Sequence, residues 1–260
     1  MSSHSIKKLN ILLSALFFMI LAGSSSLATP AKVILIRHGE KPIPPATGNQ
    51  LIPQGCERAY LLPSFFQAHE STFGKPVAIY AAKPGSDDSS VRPLQTIAPT
   101  AAAYGLRVND SGARLDYPAI AQEILTTAAY DQKTVVISWE HHVIPDFAQA
   151  LGLELKKSMN TKKWPGAVFD QAWVLSFTQG STPSVGIEIL PEALLPTDNP
   201  VGGFEHWIDG PQDSAPSAAQ STVDPAIANQ CATNDALNQL LFPLLEVPVN
   251  LNSSAMIGGI

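Results

Sequence analysis

The sequence is poor in charged residues, in basic residues and in cysteine, and the first two shortages limit the classes of protein it can belong to. Only 15% of its 260 residues are charged, against roughly 25% in typical soluble domains. The hydrophobic fraction of 45% is ordinary, which excludes both a disordered tail and a polytopic membrane protein. The 22 acidic residues outnumber the 16 basic ones, which argues against a general nucleic-acid-binding protein.

The first 28 residues have the pattern of a secretory signal peptide. Lys7 and Lys8 precede an apolar run at 11–21, and the small residues at 26–28 suit a signal peptidase. Because a transmembrane helix needs about 20 apolar residues, an uncleaved membrane anchor is the less favoured alternative. Cleavage would leave 14 basic residues against 22 acidic ones. We therefore expect a secreted or periplasmic protein with no stable membrane partner after cleavage.

The two cysteines of the chain are Cys56 and Cys231. In an exported protein they could form a disulfide that ties the late, loop-rich segment to an early helix. Two buried thiols without a disulfide are an equally good interpretation. The sequence leaves both alternatives open.

Apolar runs alternate with segments of helical composition up to about residue 152. Buried strands are predicted at 33–36, 77–82 and 135–138, helices at 56–68, 93–104, 119–127 and 144–151, and a hairpin at 173–177 and 185–189. This alternation predicts an α/β domain whose sheet is covered on both faces. From about residue 191 the chain is rich in Pro, Asn, Asp and Ser. We expect one domain over residues 29–260 with a loop-rich C-terminal segment.

Three polar motifs lie beside predicted strand ends or at the start of a predicted helix. RHGE (37–40) follows the strand at 33–36, and WEHH (139–142) follows the strand at 135–138. The third motif, SSVRPLQT, has Arg92 at the start of a helix. Ligand sites of open α/β sheets form at the C-terminal ends of strands, and a helix N-terminus favours an anion. Arginine binds phosphate oxygens in a bidentate way, and a histidine beside it at such an edge can attack a phosphoryl group.

In this order, the motifs resemble those of the histidine phosphatase superfamily, which includes phosphoglycerate mutases and histidine acid phosphatases. The stretches that carry the resemblance are VILIRHGEK, LIPQGCERA, SSVRPLQT and VVISWEHHVIP, all between residues 32 and 152. The resemblance implies a three-layer α/β sandwich with a mixed, mostly parallel central sheet. It also implies a phosphatase that acts on a small phosphorylated substrate without a metal ion or another cofactor.

The resemblance further implies a role for each residue of the pocket. His38 is expected to be the nucleophile that forms a phosphohistidine, which water then hydrolyses. A neutral imidazole can do this near neutral pH because its ordinary pKa is about 6.5. Arg37, Arg92 and a protonated His141 are expected to hold the phosphate oxygens, and Lys41 is expected to contact the substrate.

The sequence departs from the family pattern at the second histidine. In the acid-phosphatase branch an Asp follows this residue and donates a proton, but no Asp follows His141 or His142. Glu140 is the first candidate for the general acid, ahead of Asp116 and His142. A hydrogen-bond partner of an arginine is an equally good interpretation of Glu140. His141 is preferred to His142 as the pocket histidine because of its distances from the strand and from the following helix.

Three other functions fit parts of the pattern. A phosphomutase is less favoured, because KPIPPATGNQ replaces the polar stretch after RHG and the acidic mutase insert is not recognisable. A zinc site at His38, Glu140, His141 and His142 is disfavoured because adjacent histidines of an extended segment point to opposite faces. The strongest alternative is an exported protein that binds a phosphate ligand without hydrolysing it, since the usual acid is missing.

Overall fold

The computed structural model describes residues 29–85, 90–154, 164–178 and 184–199. The proposed signal peptide, Cys231 and all of the loop-rich segment after residue 199 lie outside the described residues. Among the described residues, no helix has the length and apolar character needed to cross a membrane. The leader, the disulfide and the extent of the domain stay predictions.

The described residues form strands and helices that alternate along the chain. In order they are β1 (Lys32–Arg37), α1 (Pro53–Ala68), α2 (Glu70–Phe73), β2 (Pro76–Ala81), α3 (Arg92–Tyr104), β3 (Val108–Asn109), α4 (Tyr117–Thr126), β4 (Thr134–Trp139), α5 (Ile144–Ala150), β5 (Gln171–Thr178) and β6 (Ser184–Pro191). A short 3₁₀ turn at Ala128–Tyr130 follows α4. The strands and helices predicted before residue 191 are confirmed, while α2 and β3 were not predicted.

The described strands form one six-stranded sheet in the order β3-β2-β4-β1-β5-β6. The strands β3, β2, β4 and β1 run parallel to one another, whereas β5 is antiparallel to both β1 and β6. The predicted mixed, mostly parallel sheet and the predicted hairpin are both confirmed. The wholly apolar run of β1 reflects its place near the centre of the sheet, where both of its faces are covered.

Helices cover both faces of this sheet. Successive side chains of β1 point to opposite faces, so that Val33 and Leu35 pack in one apolar cluster and Ile34 and Ile36 in another. The first cluster includes the buried faces of α4 and α5, and the second includes those of α1, α2 and α3. The three-layer α/β sandwich is therefore confirmed.

Helix α1 contains Pro63, a residue type that is expected to kink or end a helix. The helix continues from Pro53 to Ala68 with Pro63 inside it. A proline within a helix costs about 3 kcal/mol, and burial of one large apolar side chain contributes about 1.5–3 kcal/mol. Leu62, Phe65 and Phe66 of α1 are all buried against the sheet, so tertiary packing outweighs the local cost.

The register of the sheet brings the polar motifs to one edge. Arg37, the last residue of β1, is paired with Trp139, the last residue of β4. The next backbone N–H, that of His38, donates to the carbonyl oxygen of Trp139 at 3.1 Å. Because β1, β2 and β4 are parallel, the residues that follow them, including Arg92 at the start of α3, lie at the same carboxyl edge.

Candidate active site

His38 lies directly after β1 and is buried. Its Nδ1 is 2.7 Å from the carbonyl oxygen of Gly39, an acceptor that requires the proton on Nδ1 and leaves the lone pair on Nε2. Burial, and then the positive charge of Arg37, lower the pKa of His38 well below its ordinary value of 6.5. The imidazole is therefore neutral near neutral pH. A neutral ring with a free Nε2 lone pair is the form in which histidine acts as a nucleophile.

Arg37 is completely buried at the end of β1. Its Nη1 donates to the carbonyl oxygens of Gly166 at 2.7 Å and Val168 at 2.8 Å, and its Cζ lies 3.6 Å from the centre of the Phe169 ring. Its Nε and Nη2 have no hydrogen-bond partner among the described residues. Burial lowers the pKa of Arg37 to about 9, so the guanidinium stays charged near neutral pH. A buried, charged guanidinium whose N–H donors have no partner favours the binding of an anion.

Arg92 supplies a second guanidinium from the first turn of α3. Its Nη1 donates to the carbonyl oxygen of Gly48 at 2.9 Å, while its buried Nε has no partner among the described residues. The charge of Arg92 contributes to the lowered pKa values of both Arg37 and His38. The three side chains are therefore close enough for the charges of the two arginines to affect the pKa of His38.

His141 is buried beside these groups, and its pKa depends on them. Its Nδ1 has no hydrogen-bond partner among the described residues. Burial, and then the charge of Arg37, lower the pKa of His141 to about 2. The ring is therefore neutral near neutral pH in the surroundings that the described residues give it, and the protonated His141 expected for the phosphate-bound pocket stays a prediction. His142 is exposed and lies against it, with the two ring centres 3.8 Å apart.

Glu140 lies at the rim of the pocket. Its Oε2 is 3.6 Å from Nε of Arg114, and its charge raises the pKa values of Arg37 and Arg92. The carboxylate is thus close to the proposed phosphate position and also paired with a surface arginine. Both interpretations left open by the sequence fit this geometry.

The positions of Lys41 and Asp116 support a role in the pocket less directly than those of the residues above. Lys41 is half-buried, and its charge helps to lower the pKa values of His141 and His142. Asp116 is exposed and accepts the backbone N–H of Ala113 at 2.9 Å in the turn before α4. This turn contact gives Asp116 a local structural role.

Sequence reasoning missed the residues that hold the loop after β1. The backbone N–H of Gly39 donates to Oγ1 of Thr96 at 2.8 Å, and Thr96 donates to the carbonyl oxygen of Arg92 at 2.8 Å. A Cβ on Gly55 would lie 2.5 Å from the carbonyl oxygen of Glu40. The loop backbone therefore packs directly on α1, which only glycine allows. Thr96 and Gly55 lie within the stretches SSVRPLQT and LIPQGCERA, whose pattern was the available signal.

A buried ion-pair cluster, which we call the Arg58 cluster, was also missed. It consists of Arg58, Glu40, Glu192 and Asp198. Arg58 Nη2 is 2.6 Å from both Glu40 Oε1 and Asp198 Oδ1, and Nη1 is 3.1 Å from Glu192 Oε2. No sequence signal indicated this contact, because 134 residues separate Arg58 from Glu192.

The zinc alternative gains no support from these positions. Within the part of the chain that the structure describes, no group of three or more His, Cys, Asp or Glu side chains is placed to hold a metal ion. Nδ1 of His38 is already used by the carbonyl oxygen of Gly39.

Two solved structures are similar to this chain over nearly their whole length. One is a mycobacterial glucosyl-3-phosphoglycerate phosphatase, 15% identical, with a TM-score of 0.46 and coverage of 62% of this chain and 98% of that one. The other is SixA of Agrobacterium tumefaciens, assigned as a phosphohistidine phosphatase, 16% identical, with a TM-score of 0.42 and coverage of 62% and 97%.

Both neighbours carry the names of phosphatases. No protein-family model and no curated protein matches the sequence. TM-scores below 0.5 and identities near 15% say nothing about the reaction, which depends on the site residues themselves.

Proposed function

We propose that the protein is a histidine-type phosphatase that hydrolyses a small phosphate monoester through a phosphohistidine on His38. One observation carries this proposal. The Nδ1 of His38 is fixed on the carbonyl oxygen of Gly39, so that its Nε2 lone pair is free beside the buried guanidinium of Arg37. Burial and the neighbouring cations both oppose protonation of the ring, and strongly perturbed titratable groups of this kind cluster at functional sites.

Unpartnered N–H groups of the pocket provide the binding site for the phosphate. Nε and Nη2 of Arg37 and Nε of Arg92 are buried donors without a partner among the described residues. Hydrogen bonds from these charged groups to phosphate oxygens are about twice as strong as neutral ones. His141 would hold a further phosphate oxygen, and the negative charge of the phosphate would favour the protonated form of its ring. Lys41 would meet the rest of the substrate.

The reaction proceeds in two steps at one phosphorus atom. In the first, Nε2 of His38 attacks, a P–N bond forms, the P–O bond to the leaving group breaks, and that oxygen takes a proton from the general acid. In the second, water attacks, the P–N bond breaks, inorganic phosphate leaves, and the proton of the water returns to the same group. Arg37 and Arg92 stabilise the charge on the non-bridging oxygens in both steps. Glu140 is our candidate for the group that gives and takes the proton.

The alternative function, binding of a phosphate ligand without hydrolysis, is favoured by one observation. The carboxylate of Glu140 faces Arg114 at 3.6 Å, which gives it a structural role that a binding protein would also need. The acidic charge balance and the leader pattern support a secreted or periplasmic protein that takes a small substrate and no nucleic acid.

The proposed phosphatase is tested by assaying a panel of phosphate monoesters with wild type and His38→Ala from acidic to neutral pH. We expect the substitution to reduce kcat/KM by at least about 10³-fold. His69→Ala is the matched control, because Nδ1 of His69 also bonds to a backbone carbonyl, that of Phe65 at 2.8 Å, but at the opposite edge of the sheet. Equal activities in wild type and His38→Ala would exclude the mechanism. No hydrolysis by wild type, with tight phosphate binding, would favour the binding protein.

A further inference from the structure

Arg58 is the centre of an unusually rich set of buried contacts. Its Nε and Nη2 donate to Glu40, Nη1 donates to Glu192 at 3.1 Å and to Asp198 at 3.0 Å, and Nη2 also donates to Asp198 at 2.6 Å. One positive charge thus faces three carboxylates, and none of the four side chains is more than 7% exposed. Three buried negative charges around one cation are strongly unfavourable, so a bound proton relieves the excess.

Glu192 is the member of the cluster that can carry this proton. Its Oε2 accepts from Arg58, but its Oε1 is buried without a hydrogen-bond partner among the described residues. The charged groups that face it are Arg58 from α1, Asp198 from its own segment and Asp170 from the segment before β5. Burial, opposed by Arg58, raises the pKa of Glu192 to about 8. The carboxyl group is therefore mostly protonated at neutral pH.

The cluster is connected to the nucleophile by a short stretch of backbone. Glu40 is two residues from His38, and the intervening Gly39 accepts the hydrogen bond that fixes the His38 ring. Helix α1 holds this stretch at two points one turn apart, by the backbone contact at Gly55 and by the ion pair of Arg58 with Glu40. A shift of Arg58 would therefore be transmitted to the ring of His38.

The segment after β6 closes the cluster from the other side. Oδ2 of Asp198 accepts the backbone N–H groups of Leu194 at 2.8 Å and Leu195 at 3.0 Å. The backbone N–H of Glu192 donates to the carbonyl oxygen of Asp170 at 2.8 Å. The backbone of this segment is thus held in place, so a change of charge in the cluster would move the Arg58 side chain and not the segment.

We propose that Arg58 is a positioning residue that holds the His38 loop through Glu40, and that a proton on Glu192 keeps Arg58 in this position. Loss of the proton at alkaline pH adds a buried negative charge that draws Arg58 towards Glu192 and away from Glu40. The Gly39–Glu40 stretch then moves, and the Nδ1–Gly39 hydrogen bond weakens. This inference rests on the proposed role of His38 and adds a pH-dependent control of the same site.

The direct test follows the imidazole nitrogen NMR signals of His38 while the pH is raised. In wild type we expect them to change with a midpoint near the pKa of Glu192, about 8. Glu192→Gln should abolish this transition, because a neutral amide cannot lose a proton, and should leave only a later change caused by Arg37, whose pKa is about 9. The matched control is Glu123→Gln, which removes a carboxylate that accepts from Tyr80 at 2.7 Å outside the cluster; here the transition should remain. A transition that persists in Glu192→Gln, or is absent from wild type, would refute the proposal.

A second variant covers the case in which Glu192→Gln does not fold. Arg58→Lys keeps the charge but loses the planar fork that contacts all three acids. We expect kcat to fall by about 10²-fold, as for small misplacements of reacting groups, with KM nearly constant and the His38 signals shifted. Unchanged kcat and unchanged signals in a folded Arg58→Lys would contradict the positioning role.

The NMR titration needs no turnover, and this separates the two proposals. A protein that hydrolyses no phosphate ester but shows the His38 transition would contradict the proposed function and support the positioning role. A protein that hydrolyses phosphate esters but shows no His38 transition would support the proposed function and contradict the positioning role.

Discussion

At the scale of single residues, one hydrogen bond decides which nitrogen of His38 is available. The Nδ1–H group of His38 donates to the carbonyl oxygen of Gly39, and burial beside Arg37 disfavours a second proton on the ring. A histidine in water would lose much of its nucleophilic form below its ordinary pKa of about 6.5. In this pocket the nucleophilic form persists to lower pH.

A pH profile tests this difference. Because the pKa of His38 is well below 6.5 in the folded protein, protonation of the nucleophile begins only at a correspondingly lower pH. We expect kcat/KM, corrected for the ionisation of the substrate near about pH 6, to show no fall centred on about pH 6.5 as the pH is lowered. A corrected acidic limb with a midpoint near the ordinary histidine value would contradict the environment described for His38.

The neutral state of His141 is a second consequence at this scale. The sequence identifies a histidine after β4, but its protonation depends on burial and on Arg37, which the fold brings beside it. Sequence reasoning could supply the residue type and its approximate place. It could not supply the sum of burial and neighbouring charge that sets the pKa.

At the scale of elements, helix α1 and the loop after β1 are fitted to each other by two glycines. A Cβ on Gly39 would lie 2.9 Å from the carbonyl oxygen of Gly55, and one on Gly55 would lie 2.5 Å from that of Glu40. Contacts this short involve backbone atoms, which cannot move aside as flexible side chains do. The helix therefore sets the position of the loop that carries His38.

Replacement of Gly55 by alanine should disturb both stability and activity. The added Cβ must displace the Glu40 backbone, and overpacking of this kind costs about 1–3 kcal/mol in the free energy of unfolding. Gly186→Ala is the matched control, since the nearest atom to its added Cβ is 4.0 Å away. Urea unfolding and kcat/KM of both variants provide the measurement. Equal behaviour of the two alanine variants would show that the loop does not depend on this packing.

The strands and helices could be predicted from the sequence where they carry a clear apolar pattern. The strands β1 and β4 contain short apolar runs at 33–36 and 135–137. Helix α3 is followed by Gly105, which has the left-handed φ of 64° expected at a helix end. Helix α2 has four residues and strand β3 has two, so both are too short to show a hydrophobic period. The Arg58 cluster joins residues from distant parts of the chain, so only the folded topology brings them together.

At the scale of the whole molecule, an acidic protein carries a locally cationic pocket. The net charge is −6, yet Arg37, Arg92 and Lys41 act together on His141. The buried pocket is less screened by solvent than the surface, so its local charge outweighs the overall balance for a bound anion.

Inorganic phosphate should therefore stabilise the folded protein. Binding to the folded state alone contributes about 2.7 kcal/mol at a ligand concentration 100 times Kd. We expect phosphate to raise the melting temperature of wild type and of His38→Ala, and to do so much less in Arg92→Met, which lacks one guanidinium. Sodium chloride at equal ionic strength controls for general salt effects. The same increase in all three proteins would place the phosphate effect outside the pocket.

The central claim is that phosphate is transferred to His38, and trapping the intermediate tests it most directly. Wild type is mixed briefly with a radiolabelled phosphate monoester and quenched at alkaline pH, where phosphohistidine survives, and the labelled residue is identified by peptide mapping. We predict label on His38 of wild type and of His69→Ala, and none in His38→Ala. Label on another residue, or hydrolysis with equal labelling of His38→Ala, would contradict the account.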